Sequence, residues 1–300
     1  MPTLIYQIFS ASALISLGVY HLTSTIRNFL KSPQSFSARP HHPLPSSSAR
    51  LKHLHLYILL LCLLIAFAHQ ILISSDFDPL LKGHTPVHRF TSLQSAALLF
   101  LFVIVSVALL LSESTSLLPL PPDLFFALGS ALFFLQYSVS SSAASVQTSD
   151  LQAKCDSVSA QISAVVAFLC LILAFQPRMF IADAGLAGAI CLQGLWVLQT
   201  GLSLYVEVFI PEGCHWLLEM VRGVEGSTKC DLEESRLRAV AILNLLFVVH
   251  VTFVVLIVMV TYAVMARTIG IRRLGSYEAL PTTASDSNHI QMKAFTGTQA

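Results

Sequence analysis

Polar side chains are scarce in the apolar segments of this 300-residue chain, so the few that occur there are its best candidates for chemistry. A polar group inside a membrane is costly, and it usually faces a partner or water. Three histidines lie in or at the ends of apolar segments, and imidazole serves both as a metal ligand and as a proton carrier. They are His21, His69 and His250.

The expected depths of these histidines predict three separate environments. His21 is expected near one end of its segment, His69 near the opposite end of the next segment, and His250 in the middle of the last. Haem or metal ligation in a helical bundle needs ligands that face each other. No Glu-x-x-His or His-x-x-x-His pattern lies in an apolar segment. We therefore predict no catalytic residue, no cofactor and no metal, and we expect His250 to bond to a neighbouring helix.

A polar stripe in the sixth apolar segment is the second candidate. Gln193, Thr200 and Glu207 are seven residues apart, and Trp196 and Ser203 fall between them on the same helical face. This stripe must face protein or water, and Glu207 is expected near the end of the segment. One interpretation is a polar pathway between helices. The other is hydrogen bonding between helices, worth about 0.6 kcal/mol per contact on average.

Membrane helices must position these residues, because the composition is that of a membrane protein. The chain is 55% hydrophobic and 11% charged, with a mean hydropathy of +0.73, whereas soluble domains are about 25% charged. Apolar runs of about 20 residues, which suffice to cross about 30 Å of hydrocarbon, recur along the chain. We predict an all-α, polytopic membrane helix bundle with seven transmembrane helices. The segments are Leu4–His21, Leu56–Ser74, Thr91–Leu111, Asp123–Ala144, Ala160–Phe175, Ala184–Ile210 and Arg238–Ala266.

These segments make up one transmembrane domain over residues 1–266, which includes a polar loop. The loop, residues 32–50, is basic and rich in Ser and Pro, and we expect it to be mobile and cytosolic. Its adjacent His41 and His42 suggest a metal site. Prolines flank them, however, and no other ligand is apparent, so we expect both to be solvated.

Residues 267–300 form a polar tail that we expect to be disordered. Within it, Tyr277 to Leu280 read Tyr-Glu-Ala-Leu, a pattern of tyrosine and a bulky residue that serves as a sorting motif near membranes. We expect the loop and the tail to be the surfaces that contact protein partners, beside the lipid bilayer. We expect no nucleic-acid partner.

The basic residues predict the orientation in the membrane. The loop after the first segment carries five Lys or Arg residues and no acid, and three more follow the last segment closely. The positive-inside rule places both in the cytosol. The N-terminus is then lumenal or extracellular and the C-terminus cytosolic, in the plasma membrane or the endomembrane system.

The cysteines bear on the same topology. Cys214 and Cys230 bracket one predicted lumenal loop, in a compartment where disulfides persist. Their pairing is one interpretation. The alternative is that Cys155, Cys214 and Cys230 are three unrelated thiols, and Cys155 is also a rival disulfide partner.

Residues 136–157, QYSVSSSAASVQTSDLQAKCDS, predict a tight turn between two helices. Ser149 has the position of an N-cap, and Gln152 three residues later completes a capping box. The fifth helix is therefore expected to begin near Ser149, well before its apolar part, and the turn is expected over residues 144–148.

Three functional classes remain open. The first is a non-enzymatic membrane protein that acts through helix packing and partner contacts, and nothing in the sequence requires an enzymatic reaction. The second is a transporter or channel that uses the polar face of the sixth helix. The third is a membrane redox or metal protein that uses intramembrane histidines. A G-protein-coupled receptor is disfavoured, since neither Asp-Arg-Tyr nor Asn-Pro-x-x-Tyr occurs.

Several stretches resemble a known family. LGVYHL at residues 17–22 is similar to the signature that ends the first helix in the transmembrane protein 45 family, whose function is uncharacterised. CLQGLWVLQTGLSLYVEVFIPEGCH and KCDLEESRLRAVAILNLLFVVHV resemble a plant branch of that family. The resemblance covers about Leu17 to Ala266 and implies a multi-pass protein, usually with seven spans.

One difference from that family affects the expected chemistry. Many of its members carry a histidine-rich stretch after the fourth span. The corresponding region here, residues 136–157, contains no histidine. The resemblance therefore implies that this chain lacks those ligands.

Overall fold

A computed structural model describes residues 2–44, 52–74, 84–115, 118–147, 149–219 and 224–276. Within them, seven helices are long and apolar enough to cross a membrane, which confirms the all-α fold class. They are α1 (Pro2–Lys31), α2 (Leu54–Ile73), α3 (His84–Ser114), α4 (Pro122–Val146), α5 (Asp150–Phe175), α6 (Phe180–Tyr205) and α7 (Glu233–Ser276). Two antiparallel strands, β1 (Cys214–Glu219) and β2 (Val224–Cys230), form a hairpin between α6 and α7.

The outer faces of these helices are strongly apolar. Leu61 on α2, Phe168 on α5 and Val248 on α7 are 58%, 62% and 59% exposed. A soluble protein rarely exposes so much contiguous apolar surface, whereas acyl chains cover it at no cost. The exposed faces therefore fit a multi-pass helical protein in a lipid bilayer.

Two helices have ends that differ from the predicted segments in ways that affect the site. α1 continues through polar residues to Lys31, so His21 lies inside the helix and not at its end. α6 begins at Phe180, which places Asp183 in its first turn. It also ends at Tyr205, so the prediction that Glu207 belongs to this helix is wrong. Glu207 lies in a separate 3-10 turn, Glu207–Phe209.

α6 is the central helix of the bundle. In its most apolar window 56% of the residues are buried, against 44% for α5 and 11% for α1. It packs against α1, α5 and α7. Polar residues on α6 therefore face other helices, where they must find partners.

Glycines allow α1 and α6 to approach closely. A Cβ added at Gly18 would lie 2.5 Å from Cys191 Sγ and 2.8 Å from its backbone nitrogen. A Cβ added at Gly194 would lie 2.9 Å from the backbone nitrogen of Ile15. These distances exclude any larger residue unless the helices separate, a packing mode common between membrane helices. The contact brings His21, three residues after Gly18, opposite the first turn of α6.

The segment after α1 folds back against the bundle. The Phe36 ring packs edge-on against the rings of Phe29 and Phe180, at centroid distances of 5.7 and 5.8 Å. The Ala38 amide donates to the Pro177 carbonyl at 2.7 Å, and Ala38 is 1% exposed. Residues 32–44, predicted to be part of a mobile loop, are therefore anchored, because Phe36 and Ala38 bury apolar surface between helix ends. Residues 45–51 and the tail from residue 277, with Tyr277 and Leu280, lie outside the described residues.

The opposite end of the bundle is closed by the β1–β2 hairpin. A disulfide joins Cys214 to Cys230 across it, and Cys155 is buried in α5 as a free thiol. The predicted N-cap is confirmed, since Ser149 Oγ accepts from the Gln152 amide at 3.4 Å. Ser149 Oγ also donates to the Thr228 carbonyl at 2.6 Å, which ties the hairpin to the α4–α5 turn.

A buried histidine–aspartate centre

Asp183 is a fully buried carboxylate in the first turn of α6. Its Oδ1 accepts from His21 Nε2 at 2.7 Å, and its Oδ2 accepts from Thr25 Oγ1 at 2.8 Å. His21 and Thr25 are four residues apart, so they lie on one face of α1. A helix N-terminus favours a negative charge, but a carboxylate removed from water still needs such partners. The pair therefore fixes α1 against α6.

His42 is brought to the same place by the folded-back segment. It is 5% exposed, and its ring centroid lies 5.1 Å from that of His21. The hydroxyl of Tyr20 donates to the His42 carbonyl at 2.6 Å. The His42 Nε2 atom lies 3.5 Å from Thr25 Oγ1, so the ring faces Asp183 across that hydroxyl.

Asn28 orients the His42 ring. Its amide nitrogen lies 3.2 Å from His42 Nδ1. In this arrangement Nδ1 accepts, and the proton of the neutral ring is on Nε2. A half-turn of the amide would place its oxygen there instead, so that Nδ1 donates and the Nε2 lone pair is free to bind a cation. Asn28 can therefore support either tautomer.

His21, His42 and Asp183 together have the chemistry of a metal centre, which we name the Asp183 centre. One ligand atom from each of the three lies within 4.8 Å of the other two. Ligand atoms on a tetrahedral zinc ion are about 3.3 Å apart, so small movements of these side chains would bring their ligand atoms to that spacing. Two imidazoles and a carboxylate are a common zinc ligand set, and they leave one position open.

Burial keeps the imidazoles of His41 and His42 neutral, which is the form that binds a metal ion. Desolvation, followed by the charge of His21, lowers the pKa of His42 to about 4. Desolvation and the neighbouring histidines lower the pKa of His41 to about 3. Both rings are then neutral at pH 7, as metal ligation requires. The prediction that both are solvated is wrong, because the anchored segment leaves His41 only 2% exposed and His42 only 5%.

A second group of histidines adjoins this centre, and we name it the His41 trio: His41, His53 and His55. His41 Nδ1 lies 2.8 Å from His55 Nε2, and His41 Nε2 lies 3.2 Å from His53 Nδ1. The rings of His41 and His55 are stacked at a centroid distance of 4.2 Å. The Tyr20 ring lies 4.8 Å from His55 while its hydroxyl bonds to His42, so Tyr20 contacts both groups.

The polar stripe of α6 packs against α5. Gln193 Nε2 donates to Ser159 Oγ at 2.6 Å. Trp196 is fully buried, and its indole nitrogen donates to the Cys155 carbonyl at 3.0 Å. Both side chains therefore make hydrogen bonds between helices and do not line a space between them.

The rest of the stripe is bonded within α6 or lies beyond it. Thr200 Oγ1 donates to the Trp196 carbonyl at 2.9 Å. Ser203 is 3% exposed and accepts from Gln199 Nε2 at 2.8 Å. Glu207 is exposed beyond the end of the helix.

Of the three intramembrane histidines, His21 lies in the Asp183 centre and the other two lie elsewhere. The His69 ring stacks on Tyr6 at 3.8 Å. His250 Nδ1 lies 2.6 Å from the Leu246 carbonyl of its own helix, so the predicted bond to a neighbouring helix is wrong. His250 also contacts the Trp196 ring edge-on at 6.3 Å.

The density of histidines in the sequence is a signal for the two clusters, although known ligand spacings do not detect it. Five of the eleven histidines fall between residues 21 and 55, a density that spacing rules for helical or finger-like sites do not detect. Asp183 was missed because the predicted sixth segment began one residue after it. A charged residue lowers the hydropathy at a helix end, so the predicted segment excluded Asp183, the residue that pairs with His21.

A comparison with curated proteins gives no match. Residues 122–263, which run from α4 into α7 and include Asp183 but none of the histidines of the two clusters, match a family of unknown function, DUF716.

Proposed function

We propose that this multi-pass helical protein binds a divalent transition-metal ion at the Asp183 centre, with zinc as the ion that its ligands suit best. The observation that carries the proposal is the convergence of three ligand atoms, from His21, His42 and Asp183, within 4.8 Å of one another. Imidazole nitrogen with carboxylate oxygen is a ligand set that zinc favours.

The third ligand distinguishes this centre from a simple ion pair. Asp183 already has one partner for each oxygen, in His21 and Thr25. His42 is not needed to neutralise it, yet Tyr20 and Asn28 hold its backbone and its ring in place. Side chains that fix the orientation of a ligand are typical of metal sites.

The bound ion would join α1 and the 32–44 segment that follows it to the start of α6, which is distant in sequence. This supports a non-enzymatic protein in which the metal organises one end of the bundle. The hydrogen bonds of the α6 stripe support packing over a transport pathway, because Gln193 and Trp196 have partners on α5.

The orientation of this centre is part of the proposal. The Asp183 centre lies at the end of the bundle that carries the basic first loop, and the Cys214–Cys230 disulfide lies at the other end. Basic loops face the cytosol and disulfides persist outside it, so both features support a cytosolic metal centre. An epitope tag after Ala300 should bind antibody only after cells are permeabilised. Binding to intact cells would reverse the orientation.

Metal content is the direct test. We expect the wild-type protein, purified in detergent without chelator, to contain about one zinc ion per chain. Elemental mass spectrometry of the digested protein measures this content. H21Q and H42Q should lose it, while H250Q, a matched change of an intramembrane histidine outside the centre, should retain it. Wild-type protein that takes up no zinc at micromolar concentration, or an H21Q variant that binds it as tightly, would refute the proposal.

Asn28 provides a variant that leaves all three ligands in place. N28A removes only the group that orients His42, so the fold should be preserved. Loss of such an outer partner typically lowers metal affinity by about 10–100-fold. Competition with a chelator of known affinity measures the change. An unaltered dissociation constant in N28A would contradict a role for His42 as a ligand.

A further inference from the structure

Thr25 uses its hydroxyl differently from other threonines in the helices. A threonine inside a helix commonly donates to a carbonyl of its own helix, one turn earlier in the chain. Four other helical threonines do so: Thr23, Thr91, Thr200 and Thr252. Thr25 is fully buried and instead donates across the helix contact to Asp183 Oδ2, at 2.8 Å. Its hydroxyl therefore belongs to the Asp183 centre.

The position of this hydroxyl is that of a fourth ligand. Thr25 Oγ1 lies 2.8 Å from Asp183 Oδ2 and 3.5 Å from His42 Nε2. Ligand atoms on one tetrahedral zinc ion are about 3.3 Å apart, and the two distances lie on either side of that value. His21 is one helical turn before Thr25 on the same face of α1, so its ring and the Thr25 hydroxyl both reach Asp183.

The hydroxyl also has the lone pairs that ligation requires. A threonine hydroxyl carries one proton and two lone pairs, and the proton of Thr25 is used in the bond to Asp183 Oδ2. An ion bound to Asp183 Oδ1 can therefore take a lone pair of Thr25 Oγ1 while that hydrogen bond stays in place. The carboxylate would then bind the ion through one oxygen and orient a further ligand through the other, and ligating carboxylates are typically hydrogen-bonded in this way.

The packing around Thr25 and Asp183 favours a protein ligand over water. Both side chains are fully buried. Ile26 and Ala184, which follow them directly in the chain, belong to one packed apolar cluster that joins α1 to α6. Catalytic zinc ions keep one position open to water, whereas structural zinc ions are closed by four protein ligands. The surroundings of Thr25 are those of a closed site.

We propose that the hydroxyl of Thr25 is the fourth ligand of the Asp183 centre, so that the ion is held by protein groups alone. This inference rests on the proposed function, because it completes the coordination of the same ion. An oxygen lone pair of Thr25 forms the bond to the metal, the hydroxyl keeps its proton, and no electron is transferred. A centre closed in this way holds its ion as part of the structure and does not activate water.

Cobalt is the probe for the test, because the visible absorption of Co²⁺ depends on the number and type of its ligands. Wild type loaded with Co²⁺ in detergent should show the strong absorption of a four-coordinate ion. Azide, a small anion that replaces a bound water, should leave this spectrum unchanged. T25V keeps the shape of the side chain but removes the hydroxyl, so its spectrum should differ and should respond to azide. Its zinc affinity should fall at least about tenfold, since loss of even an outer partner of a metal ligand has an effect of that size.

T25S and T23V are the matched controls. T25S retains the hydroxyl and should retain the wild-type spectrum, while T23V removes a hydroxyl of α1 that bonds only to the Tyr20 carbonyl and should equal wild type. A Thr25 hydroxyl that merely oriented Asp183 would leave the wild-type ion itself sensitive to azide. That result, or a T25V spectrum identical to that of wild type, would refute the fourth ligand and leave the Asp183 centre standing. If wild type binds neither zinc nor cobalt, both proposals fail.

Discussion

The two halves of α6 place polar residues inside the bundle in different ways. In its second half, Gln193 and Trp196 bond to groups on α5, and these bonds are of the kind that join membrane helices. In its first turn, Asp183 meets histidines from two other parts of the chain, and more ligand atoms converge there than hydrogen bonding requires. The difference indicates that polar residues inside a membrane protein mark a binding site only where they offer more ligand atoms than their mutual hydrogen bonds use.

Breaking the buried pair should produce the largest effect. H21L leaves the Asp183 carboxylate buried with Thr25 alone, and an uncompensated buried charge costs about 3–5 kcal/mol. D183L leaves only a neutral imidazole without its partner, which costs about 1–3 kcal/mol. Equilibrium unfolding in mixed micelles, with chelator present, measures both free energies. Equal losses, or a greater loss in D183L, would show that the carboxylate is not charged in the folded protein.

Removal of the Cys214–Cys230 disulfide tests whether the Asp183 centre is independent of the opposite end of the bundle. Its two cysteines are 16 residues apart, and closing a loop of about that size stabilises a protein by about 3 kcal/mol. C214S/C230S should therefore lower the free energy of unfolding by about that amount and leave zinc content at the wild-type level. Loss of zinc from this variant would mean that the hairpin helps to hold the centre together.

The close contact of α1 with Gly194 allows a change in the second half of α6 to affect the Asp183 centre at its first turn. In G194A the new Cβ would lie 2.9 Å from the Ile15 nitrogen and 3.0 Å from the Ala11 carbonyl, and backbone atoms cannot rotate away. Overpacking of this kind costs about 1–3 kcal/mol. Because α1 must move off α6, zinc affinity should fall as well.

G129A is the matched control for G194A. Its Cβ would meet only Cys170 Sγ, at an ordinary 3.6 Å, so stability and zinc affinity should both be unchanged or slightly improved. If G194A lost stability but bound zinc with wild-type affinity, the close helix contact would not be what positions His21.

The sequence predicted the helices well because the apolar runs are long and the bilayer sets their length. The helix ends were predicted less well. α1 continues through Thr25 and Asn28 to Lys31, and these polar residues lower the hydropathy without ending the helix. That extension is what carries Thr25 to Asp183, so the error at the helix end also concealed part of the site.

The histidine clusters depended on a fold that hydropathy does not describe. A loop rich in Ser and Pro is expected to be solvated, yet the Phe36 ring packs edge-on against Phe29 and Phe180 and holds residues 32–44 against the bundle. Nothing in the spacing of His41, His42, His53 and His55 shows that they converge. Their convergence follows from the apolar anchor, whose binding place exists only after α1, α5 and α6 are assembled.

The smallest effect is expected in the α6 stripe, at Gln193. Q193L removes the bond to Ser159, which is worth about 0.6 kcal/mol in a membrane bundle. It also removes Gln193 Oε1, which is buried without a hydrogen-bond partner among the described residues, and this offsets part of the loss. Stability should therefore change little, and zinc content should equal that of wild type, since the stripe only joins helices. If Q193L instead altered the flux of an ion or solute through proteoliposomes, the stripe would be a pathway, and the contrast between the two halves of α6 would not hold.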